Sequence, residues 1–85
     1  MAGVICPGDL VFSRRKSVRC SSDYELSGSE ARLRGDFDTF TGQALVIAVI
    51  DPVAHGLGGT GLIAVFLPKH QRFVFTWASS VWEGP

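Results

Sequence analysis

Residues 62–77 read Leu62-Ile-Ala-Val-Phe-Leu67, Pro68-Lys-His-Gln71, Arg72-Phe-Val-Phe-Thr-Trp77: two apolar, β-branched runs separated by a turn tetrapeptide. Runs of this length and composition, split by proline and polar residues, predict a β-hairpin. With 68–71 as the loop, Leu67 faces Arg72, and the pairs Phe66/Phe73, Ala64/Phe75 and Leu62/Trp77 share one face. Leu67, Val65, Ile63, Val74 and Thr76 take the other. Both faces are therefore apolar. A sheet of that kind must cover one face by curling over itself, as a small barrel does.

Working outward, Gln43-Ala-Leu-Val-Ile-Ala-Val-Ile50, closed by Asp51-Pro52, is another continuous apolar run. It predicts a central strand buried on both faces. Leu10-Val-Phe12 follows the turn tripeptide Pro7-Gly8-Asp9 and predicts a first strand ending near Ser13. At the other end, Ser79-Ser80 permits a short 3₁₀ turn, and Val81-Trp82-Glu83 supplies a last strand that pairs with the first and closes the barrel. Between Arg14 and Gly42 the pattern dissolves into charge, serine and glycine, which predicts a long irregular first loop. Within it, Ser27-Gly-Ser29-Glu30 offers a capping-box start for a short helical turn over Ala31-Arg-Leu-Arg34, stopped by Gly35. The expectation is an all-β, five-stranded barrel.

Length and composition bound the rest. Eighty-five residues with 46% apolar and 19% charged side chains bury one core, so residues 1–85 are read as a single domain hiding about 60% of its unfolded surface. Eight basic and eight acidic residues cancel, which removes the global positive field of a non-specific nucleic-acid binder. Cys6 and Cys20 are too few for a secreted disulfide scaffold, although a bridge between them would contribute about 3 kcal/mol in chain entropy. A cytoplasmic or virion-associated location is expected. The N-terminal residues lack the basic start and apolar core of a signal peptide. Ala44 to Leu67 is apolar enough to suggest a membrane span, but Asp51, Pro52, His55 and four glycines interrupt it, and freed backbone groups find no water in lipid. No membrane association is expected.

Chemical motifs are sparse. Gly56-Leu-Gly58-Gly-Thr-Gly61 has the letters of a dinucleotide fingerprint, yet the third glycine of such a motif must open a helix, and Leu62 begins a strand. A connecting loop is the reading. His55 and His70 lack metal-ligand spacing with the two cysteines, and no nucleophile, base and orienting group stand in recognisable register. No enzyme, cofactor, metal site or small-molecule substrate is therefore expected. Arg34-Gly35-Asp36 spells an adhesion tripeptide that carries no meaning without display on a loop. Arg14, Arg15, Lys16 and Arg19 gather four positive charges, while residues 20–40 carry five acids against two bases. These cations either pair with Asp23, Glu25, Asp36 or Asp38, or contact a phosphate or acidic partner. Trp77, Trp82, Phe37 and Phe40 are the rings on which a base could stack, but a barrel this small needs most of them as core,. Trp82, on a closing strand, either packs in the core or a self-interface, the expected outcome, or stands half-exposed for a partner.

The Gly8-Asp-Leu-Val11 opening, the long excursion, the 42–50 and 62–66 runs, and the Phe75-Thr-Trp77-Ala-Ser-Ser-Val-Trp82-Glu83 ending together resemble SH3-like β-barrels. The resemblance spans residues 8–83 and is closest to short, single-domain versions found in bacteriophages and bacteria. It implies a five-stranded SH3-like barrel acting as a small protein-binding or assembly module, for example a phage accessory or virion component. Such a module would contact partners through Arg14, Arg15, Lys16 and Arg19, with Trp82, Gly58 and Gly59 as further interface residues. Peptide-binding SH3 domains grip proline-rich ligands with acidic residues and paired tyrosines in the first loop. Here that loop is basic and holds a single tyrosine, Tyr24, which argues against that ligand class. An apolar fraction this high in so short a chain favours self-association. The alternative is a nucleic-acid-binding barrel with the 14–19 cations on phosphates.

Overall fold

A computed structural model describes residues 5–28, 30–51 and 61–83. Among them, seven antiparallel strands form one curled sheet: β1 (Leu10–Ser13), β2 (Val18–Ser27), β3 (Glu30–Phe40), β4 (Gln43–Asp51), β5 (Leu62–Leu67), β6 (Arg72–Trp77) and β7 (Val81–Trp82). Their order across the sheet is β3-β2-β6-β5-β4-β1-β7. A single 3₁₀ turn, Ala78–Ser80, joins β6 to β7.

The β5–β6 hairpin has the register its sequence predicts, Leu67 opposite Arg72 through to Leu62 opposite Trp77. β1 spans Leu10–Ser13 and pairs with both β4 and β7. Three expectations are corrected. Residues 18–40 are neither an irregular loop nor a helical turn but the long hairpin β2–β3, which raises the strand count from five to seven. The strand buried on both faces, and the middle of the sheet, is β5, not β4, whose Ile47 is exposed. Finally, β7 pairs with β1 but forms one end of the sheet, with β3 at the other, so hydrogen bonding leaves a half-barrel rather than a closed one.

Why residues 30–40 extend rather than coil is visible at Gly35. Ser21 pairs with Phe37 and Asp23 with Arg34, so β3 carries an extra residue there. Gly35 supplies the positive φ (75°) the bulge requires,. A Cβ added to Gly35 would collide with Ser22 Oγ, which itself accepts the Asp36 N–H at 2.8 Å. The capping box at 27–30 is overridden because the Gly28 turn, also at positive φ, returns the chain as a strand.

Four residues, 14–17, carry the chain from β1, sixth in the sheet, to β2, second. So short a link forces the sheet to curl. The concave face then holds one core of Val11, Val18, Cys20, Phe40, Ala44, Val46, Ile63, Val65, Leu67, Val74 and Val81. Thr76, wholly buried beside them, donates its hydroxyl to the Arg19 carbonyl at 2.8 Å. A second cluster lies on the convex face, where Ala31, Leu33 and Tyr24 of the hairpin fold over Leu62, Phe75 and Trp77.

Candidate functional site

The basic segment is split by the fold. Arg14 continues β1: its backbone N–H donates to the Ser80 carbonyl (3.0 Å) and its Nε–H to the Val81 carbonyl (3.2 Å), tying the bend to the last strand. Arg19 stands on β2, its Cζ 4.6 Å from the centre of the Phe37 ring on β3, a cation–π contact at a half-exposed site. Arg15 and Lys16 lie exposed in the bend between them. The expected pairing of these cations with nearby acids does not occur among the described residues. Two of those acids have other partners: Arg34 meets Glu25 at 3.3 Å and Arg72 meets Asp38 at 3.2 Å, while Arg32 meets Glu30 at 3.0 Å.

Aromatic side chains flank this bend. Trp82 on β7, opposite Phe12 of β1, is 43% exposed, and Phe37 on β3 is 52% exposed. Phe40 and Trp77, by contrast, are spent in the two apolar clusters. Trp82 and Phe37 stand on strands at opposite ends of the sheet, and the 14–17 bend connects the two sides. Gly58 and Gly59 lie outside the described residues. Gly61, which is described, leads directly into β5 rather than a helix.

A surface the sequence reading did not single out lies on the convex face. Leu10 pairs with Leu45, Leu45 with Phe66, and Phe66 with Phe73. The four side chains form one apolar row across β1, β4, β5 and β6. Four strands at about 4.8 Å spacing make that row roughly 14 Å long. Phe66 and Phe73 form a tilted pair with ring centres 5.0 Å apart, yet Phe73 remains 62% exposed and Leu10 44%. Ile47, pushed out where β4 bulges against β5, adds to the exposed apolar surface. The signal was present in the paired phenylalanines, but nothing in one chain's letters says which part of a two-faced sheet its own hairpin will cover.

Among the described residues no three His, Cys, Asp or Glu side chains converge as a metal site, and no helix is long and apolar enough to cross a membrane. Cys20 is buried on β2 and is not bridged to Cys6. Burial, with Asp38 nearby, pushes the Cys20 thiol above its ordinary value despite the opposing charge of Arg72, so it is no poised nucleophile. Comparison with known protein families, curated proteins and solved structures yields no match to any of the three.

Proposed function

We propose that this chain is a non-enzymatic assembly module of the SH3-like kind that self-associates through its convex face. The observation that carries the reading is the exposed row Leu10–Leu45–Phe66–Phe73. The row contains no charge, so two copies can place it face to face without opposing like charges. Two sheets stacked in this way bury their facing side chains at about 10 Å separation. The chain already uses that solution internally, since its hairpin tip covers the neighbouring part of the same face. An SH3-like assignment draws support from the strand order β7-β1-β4-β5-β6 with a long hairpin inserted after β1. A role as a phage accessory or virion component follows from that resemblance and from nothing else.

Sedimentation velocity from low to high micromolar concentration tests the proposal. A mass rising with concentration is expected, and Phe73→Asp, which sets a charge in the row without touching the core, should hold the chain at monomer mass. A wild-type chain that stays monomeric throughout, or a Phe73→Asp chain that associates equally well, would overturn the reading.

A further inference from the structure

We infer that the strip running from Trp82 through the 14–19 bend to Phe37 is a binding surface for single-stranded nucleic acid. Its Trp82 end, opposite Phe12, begins two residues along β1 from Leu10, where the apolar row ends, and the inference does not depend on self-association. Single strands are held without sequence preference by cations that track the backbone and aromatic faces on which bases stack. Both are present here. Trp82 and Phe37 are half-exposed rings at the two ends, and Arg14, Arg15, Lys16 and Arg19 occupy the interval.

The cations are within at most about 18 Å of one another along the chain, a span that several backbone phosphates fill. Arg14 uses only its Nε–H on Val81, so its terminal NH₂ groups face no acid among the described residues. Arg15 and Lys16 likewise form no ion pair among those residues. Arg19 sits against Phe37, which places a positive charge beside one of the stacking rings. Neutral net charge is no obstacle, because three of the hairpin's five acids, Glu25, Glu30 and Asp38, are paired with Arg34, Arg32 and Arg72, while the bend's cations form no ion pair among the described residues. Duplex DNA offers phosphates but no open base faces, so the exposed rings favour the single strand.

The test is fluorescence anisotropy of a labelled oligothymidylate about twelve nucleotides long, titrated with the full chain at several salt concentrations. Binding should weaken with salt at a log–log slope between about −2 and −3, the single-strand value for three to four phosphate contacts. Arg15→Glu with Lys16→Glu should abolish it. Phe37→Ala and Trp82→Ala should each weaken it about five- to a hundred-fold, the range for losing one stacked base. The ring-preserving Phe37→Tyr and Trp82→Phe should bind nearly as wild type, which separates lost stacking from lost folding. Phe73→Asp should bind as wild type. The inference is overturned by no binding at low salt, by duplex bound as tightly as single strand, or by binding that ignores both alanine substitutions. Equal competition by polyglutamate would do the same, because it would show a surface that reads charge alone.

Discussion

The convex face of this sheet is two surfaces made from one composition. Over Leu62, Phe75 and Trp77 the hairpin tip folds down, Tyr24 lying 4.7 Å from the Phe75 ring, and Leu62 loses all contact with solvent. One row further along the same strands, Phe66 and Phe73 are no less apolar, and among the described residues they pack on each other while Phe73 stays exposed. Reach separates the two. The β2–β3 hairpin bends at its bulge and covers only the end of the face beside Trp77. Burial here is set by where an insertion bends, not by the hydrophobicity of what it could cover, and the part left over is where a partner gains most.

The hardest blow to that contrast falls on the covered side. Leu62→Ala removes a side chain fully enclosed between the sheet and its hairpin, and should cost about 2–5 kcal/mol in urea unfolding. A small domain holds only about 5–15 kcal/mol in all, so partial unfolding at ambient temperature is the expected extreme. A loss comparable to a surface substitution would mean that the hairpin tip does not pack on Leu62. Next in size is Gly35→Ala. It forces a Cβ onto a left-handed residue and into Ser22 Oγ, and should cost about 1–3 kcal/mol. It should also raise backbone amide exchange in 23–34 more than in β4–β6, because the bulge aims the tip. Uniform exchange across the sheet would refute that role.

Phe73→Asp belongs to the open side and should cost the isolated monomer no more than about 1 kcal/mol, the contribution of one exposed aromatic pair. Its effect is reserved for association. A loss as large as that of Leu62→Ala, measured under dilute conditions, would show that the row is structural and erase the distinction between the two halves.

How far the letters carried this structure follows the same division. The 62–77 register was readable because both strands are continuous, their loop is short, and facing residues follow from the turn. β2 left a fainter trace: Val18, Cys20, Tyr24 and Leu26 recur at period two, but Ser22 breaks the row, and of the alternate residues Arg19, Asp23 and Glu25 are charged while Ser21 is buried. In β3 the phase changes at Gly35, so Ala31 and Leu33 precede the bulge and Phe40 follows it out of step. A periodic reading fails across such a slip. The basic segment was visible as charge, whereas its flanking rings come from strands far apart in sequence. Phe37 and Trp82 could be placed beside it only by the fold.

The smallest prediction uses Cys20 as a probe of the hairpin's root. The thiol lies buried in the main core, pushed above its ordinary 9.0 chiefly by burial and secondarily by Asp38, with Arg72 acting the other way. Below pH 9.0 the thiol is protonated in both folded and unfolded chains and adds nothing to the pH dependence. As pH rises past that value, the unfolded chain releases the proton while the folded chain retains it, so stability falls until the folded group also ionises. Unfolding titrations should therefore show a stability decline above about pH 9 that Cys20→Ala removes. Thiol labelling gives the companion measurement: Cys6, which is exposed, should react at once and Cys20 only on opening. If the bulge governs the tip alone, Gly35→Ala should leave Cys20 labelling slow even as amides 23–34 exchange faster. Fast labelling in that variant would mean the hairpin leaves the sheet as one piece, and that covered and open halves are separated by a single hinge at the root rather than by a bend halfway along.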